Sequence, residues 1–238
     1  MIEQREVSQQ VQDGPYGWPA SYRVRVDPQQ ITLNVRVQFQ PAAGTSLEEV
    51  AAVKRETSEA VSRYYDQKFG VKEPGGHERG VQVRVEFVDS DPDLKVTLHA
   101  GAGRDNLRHW FVKSGVVARA HEIGHALGLK DEYVDPLVEG RSSKGSPAVF
   151  RDHSLFGNFH EEGVERAELK LRHAARLTET WGEAFGKRFE VGPEMGVGGT
   201  RQGVAGAGKL TFERLRELVT GRGSNSLPDQ RVNTGLKT

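Results

Sequence analysis

Eleven consecutive residues, HEIGHALGLKD from His121 to Asp131, contain the side chains of a catalytic metal site. A helix turns by about 100° per residue, so His121 and His125 lie about 40° apart and can bind one metal ion. Glu122 lies beside them, where its carboxylate can take a proton from a water molecule at an open coordination position. Gly128 can end the helix in a left-handed conformation that returns Asp131 to the metal as a third ligand. Such a three-ligand set is typical of catalytic zinc.

The third ligand and the helix itself each have an alternative interpretation. Glu132, Asp135 and His153 follow the motif and compete with Asp131 as the third ligand. Without a metal, the segment is an amphipathic core helix with an apolar stripe of Val116, Ala120, Ile123 and Leu127. A core helix does not explain two histidines on the opposite face, so the metal site is the favoured interpretation.

The extended pattern His-Glu-x-x-His-x-x-Gly-x-x-Asp resembles the metzincin clan of zinc endopeptidases, in the snapalysin-like variant where Asp replaces the third His. The string HEIGHALGLKDEY is also similar to zincin-type domains among bacterial toxins and effectors of contractile injection systems. Residues His121 to Tyr133 carry this resemblance. It implies bound Zn²⁺, a peptide or protein substrate, and an antiparallel edge strand, residues 93–100 here, that aligns the substrate.

Metzincins also have a methionine in a turn beneath the zinc, and this chain departs from that pattern. Of its two methionines, only Met195 follows the motif, and it does so after the last long helix. We therefore expect Phe156 to form the apolar floor of the site, with Met195 as the other candidate. Three residues after the motif are candidates to stabilise the oxyanion formed when water attacks a peptide carbonyl: Tyr133, His153 and His173.

The remaining sequence predicts the elements that position this site. Alternating apolar residues predict strands over residues 22–26, 31–39, 81–87 and 94–98. A helix capped by Thr45 or Ser46 is expected to end near Phe69, and a second long helix to span residues 161–189. The predicted fold is α+β and metzincin/zincin-like: a twisted mixed sheet with an edge strand over the cleft, a backing helix, an active-site helix and a carboxy-terminal long helix.

Three segments are expected along the 238 residues. Residues 1–20 contain Pro15 and Pro19 and are predicted to be an irregular arm. Residues 21–189 form the zincin-like catalytic domain. Residues 190–238 comprise a Gly-rich linker, a short helix and a disordered tail, a segment that is a candidate for binding a protein partner.

Composition excludes several classes of function. The formal net charge is zero, which gives no electrostatic argument for binding nucleic acid or an anionic membrane. No apolar run approaches the ~20 residues that cross a bilayer. The amino terminus lacks the basic and apolar regions of a signal peptide, so we expect a cytoplasmic protein or one exported without a cleaved signal. The chain has no Cys and no Gly-x-Ser-x-Gly motif for a covalent nucleophile.

The sequence therefore predicts a zinc-dependent endopeptidase with Glu122 as the general base. One alternative is an injected effector, toxin or particle-associated component that uses the same chemistry after delivery. The other is a binding module in which the metal only stabilises the fold, and Glu122 would then be dispensable.

Overall fold

The computed structural model describes residues 2–192, which form a mixed α+β fold around one curled sheet. In chain order the described elements are β1 (Glu3–Asp13), β2 (Tyr16–Val26), β3 (Gln30–Pro41), α1 (Leu47–Tyr65), β4 (Gly70–Lys72), β5 (Arg79–Phe87), β6 (Leu94–His99), β7 (His109–Phe111), α2 (Val116–Ala126), α3 (Phe159–Glu162), α4 (Leu171–Phe185) and β8 (Glu190–Val191). The four strands predicted from apolar alternation correspond to parts of β2, β3, β5 and β6. The coarse prediction of an α+β fold is thus confirmed.

The sheet is mixed in direction. Strands run in the order β1-β2-β3-β5-β4-β8, and β2 is antiparallel to both β1 and β3. The first part of β3 pairs in parallel with β5 and its last part pairs in parallel with β6, which in turn pairs with β7. Lys187 forms ion pairs with Glu3 at 2.6 Å and Glu73 at 3.6 Å, so the two ends of the sheet approach each other.

Helix α1 begins where its capping residues predict. Ser46 accepts a hydrogen bond from the Glu49 N–H, and the Glu49 carboxylate accepts one from the Ser46 N–H. The helix ends at Tyr65, earlier than the expected Phe69, because the next side chain binds β5: Asp66 accepts from the Val83 N–H at 3.1 Å. The chain therefore leaves the helix to enter β4.

The expectation of an irregular amino-terminal arm is wrong. Residues 3–26 form a long antiparallel hairpin, in which Val7 pairs with Tyr22 and Val11 with Trp18. Polar residues occupy most other positions of β1, so its sequence lacks the apolar alternation that marks a strand. It is a strand because its backbone pairs with β2, which its composition does not reveal.

Two further expectations need correction. The strand expected to be an antiparallel substrate-binding edge is β6, which is parallel to β3 and is also paired with β7 from Thr97 onward. The last long helix begins at Leu171 rather than near residue 161, because Gly163 adopts a positive φ of 104° and separates α3 from the segment that follows.

Only the first residues of the predicted carboxy-terminal segment, 190–192, lie within the described structure. Glu190 and Val191 form β8, which pairs with β4, so the chain is still part of the sheet where the Gly-rich linker was expected to begin. The rest of the predicted linker, short helix and tail, residues 193–238, lies outside the described residues. Over residues 2–192, none of the helices combines the length and apolar character needed to span a membrane.

Candidate metal centre

Helix α2 presents the two histidines from a buried position. Ala120 and Ile123 are fully buried in the core, and the Tyr65 hydroxyl donates to the Ala120 carbonyl at 2.8 Å. Gly124 allows close packing, because a Cβ there would lie 2.1 Å from Cζ of Phe156. Gly128 follows the helix with a φ of +91°, as the motif predicts, and turns the chain back.

Backbone carbonyls fix the tautomers of both imidazoles. His121 Nδ1 lies 2.9 Å from the Leu155 carbonyl, and His125 Nδ1 lies 2.8 Å from the Leu129 carbonyl. Because a carbonyl oxygen only accepts, each Nδ1 carries the hydrogen, and each neutral ring has its lone pair on Nε2. The two Nε2 atoms are 2.9 Å apart. Two lone pairs at that distance repel each other unless a cation or a shared proton lies between them.

Asp131 brings a third donor atom close to the two imidazole nitrogens. Its Oδ1 lies 3.2 Å from His121 Nε2 and 3.3 Å from His125 Nε2. Bonds of about 2.0–2.1 Å around a tetrahedral zinc place two ligand atoms about 3.3 Å apart, close to these separations. With the two Nε2 atoms 2.9 Å apart, the three donor atoms are close enough to share one metal ion.

Glu122 is the fourth polar side chain at the centre. One carboxylate oxygen of Glu122 and a ring nitrogen of each histidine lie within 4.8 Å of one another. Its Oε2 is buried without a hydrogen-bond partner, as is Oδ1 of Asp131. Such oxygens are costly unless a cation, water or ligand satisfies them. The 3.2 and 3.3 Å contacts favour Asp131 over Glu122 as the third ligand.

Burial and neighbouring charge set the protonation of the centre. Burial raises the pKa of Glu122 above its usual value, which makes it a stronger base. Burial would lower the pKa of His125, but Asp131 raises it to about 9, so a metal ion at this centre would displace the proton that Nε2 holds at neutral pH. Burial would likewise raise the pKa of Asp131, but His125 and His121 hold it well below its usual range. Asp131 is thus ionised at neutral pH, as a metal ligand must be.

Phe156 lies against the histidine pair. Its ring centroid is 5.2 Å from that of His121, in a stacked arrangement, and 5.7 Å from that of His125. Phe156 is fully buried. It therefore has the packing expected of an apolar floor, whereas Met195 lies outside the described residues.

Glu132 forms a separate, closed network. Both of its oxygens accept from Arg172, each at 2.6 Å, and one also accepts from the Ser154 hydroxyl. His173 belongs to this network, with Nε2 3.0 Å from Glu132 Oε1 and its ring 4.9 Å from that of Phe156. These contacts remove Glu132 as a ligand candidate and direct His173 towards Glu132 and Phe156.

Asp135, His153 and Tyr133 also differ in whether their contacts reach the centre. Asp135 accepts from the Leu137 N–H at 2.9 Å, and the His153 N–H donates to Glu162 at 2.7 Å. The described contacts of these two residues do not include either imidazole of the centre. Tyr133 is closer: burial and then the Asp131 carboxylate raise the pKa of its phenol above the usual value. Tyr133 is therefore the one of these candidates whose side chain interacts with Asp131.

The amino-terminal hairpin supplies contacts that the sequence analysis missed. Trp18 donates its indole N–H to the His125 carbonyl at 2.9 Å, and its ring meets that imidazole edge to face. Asp13 accepts from Arg141 at 2.8 Å, and Arg141 also donates to the Tyr133 carbonyl at 2.8 Å. The hairpin thus holds both the end of α2 and the loop after Asp131. In the sequence, the presence of a tryptophan in this otherwise polar segment was the feature that could have indicated a buried contact.

The centre therefore combines two oriented imidazoles, one ionised carboxylate and one basic carboxylate without a partner. This set can bind a divalent metal ion and accept a proton beside it. No family model, curated protein or solved structure matches the chain.

Proposed function

We propose that this protein is a zinc-dependent endopeptidase. The observation that supports this most strongly is the convergence of His121 Nε2, His125 Nε2 and Asp131 Oδ1 beside the unpartnered Glu122 carboxylate. Zinc bound by these three atoms would polarise the scissile carbonyl and lower the pKa of the attacking water.

Glu122 is the general base in this proposal. Its raised pKa suits proton transfer near neutral pH, and its Oε2 has no other hydrogen bond to break. It takes a proton from the attacking water and then delivers it to the nitrogen of the leaving amine. One water molecule is consumed as the peptide C–N bond breaks, and the products are a carboxylic acid and an amine.

Two further side chains have supporting roles. The Tyr133 hydroxyl, which stays protonated because its pKa is raised, donates to the oxyanion as it forms. Trp18 fixes the main chain at His125 through its indole N–H and so orients the imidazole. We call Trp18 a positioning residue because it acts through His125.

A metal-stabilised binding module is the second candidate. The low exposure of His121, Glu122 and His125, at 7, 5 and 8%, favours it, since structural zinc is enclosed by four protein ligands. Because Glu122 is buried beside both histidines, it would be the fourth ligand of such a module rather than the dispensable residue expected from the sequence, and no coordination position would remain open. The two candidates therefore assign different roles to one carboxylate.

Glu122→Gln distinguishes them. The zinc-loaded parent and variant are incubated with a mixed peptide library, products are identified by mass spectrometry, and zinc affinity is measured in parallel. We expect the parent to cleave, and the variant to keep its zinc affinity while turnover falls at least ~10²-fold. Glu59→Gln, an exposed position on α1, is the matched control and should change neither quantity.

Two results would contradict the proposal. One is a Glu122→Gln variant that cleaves as fast as the parent, which would remove the general base. The other is an inactive parent together with a variant that loses its zinc, which would identify Glu122 as a fourth ligand and support the binding module.

A further inference from the structure

The loop between β6 and β7, residues 100–108, is anchored close to the metal centre. Asp105 Oδ1 accepts from the Phe111 N–H at 2.8 Å and from the Ser114 hydroxyl at 2.6 Å. Gly103 packs on the Phe111 ring so closely that a Cβ would lie 2.4 Å from Cζ. The loop therefore has a defined position relative to β7 and the start of α2.

Arg104 projects from this loop to the residue next to the centre. Its Nη2 donates to the Tyr133 hydroxyl at 3.2 Å, and Tyr133 is the oxyanion donor of the proposed mechanism. The adjacent Asp105 anchor limits the positions that the Arg104 main chain can take. The guanidinium is therefore held beside the Tyr133 hydroxyl, while the side chain stays exposed.

The charge of Arg104 is not neutralised within the part of the chain that the structure describes. No carboxylate oxygen of residues 2–192 lies within 4.0 Å of its guanidinium. The other arginines around the centre are paired: Arg119 with Glu56 at 3.1 Å, Arg141 with Asp13 at 2.8 Å and Arg172 with Glu132 at 2.6 Å. Arg104 and Arg108 of the same loop thus both lack an ion-pair partner among the described residues, and Arg104 differs from Arg108 in donating to the Tyr133 hydroxyl.

We propose that Arg104 selects substrates that place a carboxylate beside the scissile bond. This inference rests on the proposed peptidase function and names its substrate class. A guanidinium has five N–H donors in one plane, so one can bind Tyr133 while an adjacent pair binds a carboxylate in a bidentate manner. The carboxylate comes from an Asp or Glu side chain or from the free carboxy terminus of a peptide, and both present the same two oxygens.

Matched peptides separate these two sources. One set has amidated ends and carries Asp, Asn or Lys at each position flanking the cleaved bond; the other has neutral side chains and either a free or an amidated carboxy terminus. The zinc-loaded parent should show about ten-fold higher kcat/KM for the carboxylate form in one of the two sets. The set that shows the preference identifies the source.

Variants of the loop test the role of the guanidinium. Arg104→Gln should reduce the ratio of kcat/KM for carboxylate and neutral peptides to about one, and Arg104→Glu should favour the Lys peptides. Arg104→Lys keeps the charge but not the planar donors, so an intermediate ratio is expected. Arg108→Gln, four residues along the same loop and also exposed, is the matched control and should keep the parent ratio.

The outcomes distinguish this inference from the proposed function. A parent that cleaves peptides with no carboxylate preference, or an Arg104→Gln variant that retains the preference, would overturn the inference alone. Absence of cleavage of every peptide by the zinc-loaded parent would overturn the proposed function and the inference with it. The full set of expected ratios would assign Arg104 as the specificity-determining residue.

Discussion

Asp131 and Glu132 are adjacent carboxylates in one buried region, yet the structure uses them in opposite ways. Glu132 accepts from Arg172 through both oxygens and from the Ser154 hydroxyl, so its charge is fully partnered. Asp131 Oδ1 lies beside two imidazole nitrogens and accepts no hydrogen bond. Glu132 therefore belongs to a closed network, whereas only Oδ1 of Asp131 is unpartnered, since its Oδ2 lies 3.8 Å from Arg141 Nη2.

The two carboxylates illustrate different roles for buried polar groups. A closed buried network fixes the conformation of the loop, while buried polar atoms without partners need a cation, water or substrate. The network around Glu132 contacts the centre through His173 and Phe156, so it supports the floor of the site. The comparison therefore predicts that loss of Asp131 affects metal binding and loss of Glu132 affects stability.

The largest effect should come from Asp131→Ala. Removal of one of three ligands should weaken zinc binding by at least about 10³-fold, beyond the roughly 10- to 100-fold typical of residues outside the coordination shell. Competition titration with a chromophoric chelator measures this. Glu132→Gln should weaken zinc binding by no more than roughly 100-fold. Equal zinc affinity in the Asp131→Ala variant and the parent would reverse the assigned roles.

Glu132→Gln should have the larger effect on folding. Loss of the carboxylate leaves the half-buried Arg172 guanidinium without its main charge partner and should cost about 3 kcal/mol, as measured by urea unfolding with a chelator present. Asp152→Asn removes the more exposed partner of the same arginine, at 2.7 Å, and should cost less than ~1 kcal/mol. Similar losses in the two variants would contradict the idea of a closed network.

Acid should remove the contribution of Glu132. Burial would raise its pKa, but Arg172 and His173 lower it from 4.5 to about 2. A carboxylate with a depressed pKa in the folded state stabilises above its unfolded value, and this stabilisation is lost as pH falls through its folded value. The difference in unfolding free energy between parent and Glu132→Gln should therefore fall from about 3 kcal/mol above about pH 4.5 towards zero near pH 2. A difference independent of pH would assign the effect to packing.

The smallest effect should come from Trp18→Phe. The variant keeps an aromatic ring against His125 but loses the indole hydrogen bond to its carbonyl. We expect about 1 kcal/mol lower stability and a zinc affinity weakened by less than about ten-fold. An unchanged zinc affinity would limit the role of the hairpin to folding.

Local features of the sequence were sufficient for much of the centre. The helix, the left-handed turn at Gly128 and the approach of Asp131 all follow from spacing within eleven residues. The cap of α1 was predicted as Thr45 or Ser46, and the structure assigns it to Ser46. Phe156 required a prediction across a longer interval, and the structure places it against both imidazoles. Short-range geometry was therefore sufficient to predict which donor atoms converge.

Long-range pairing was not predictable in the same way. Strand β1 has few apolar residues, and the contact from Trp18 to His125 spans 107 positions in sequence. The parallel pairing of β6 depends on how the chain returns to β3, which alternation of apolar residues does not specify. For the same reason, nothing near Glu132 in the sequence showed that Arg172 would occupy both of its oxygens.

A crystal structure of the zinc-loaded protein, with anomalous scattering measured at the zinc edge, tests the central claim most directly. The account predicts one zinc bonded to His121 Nε2, His125 Nε2 and Asp131 Oδ1 at about 2.0–2.2 Å, with Glu122 near the ion but not bonded to it. A zinc that Glu122 binds as a fourth protein ligand, or one from which Asp131 is turned away, would contradict it.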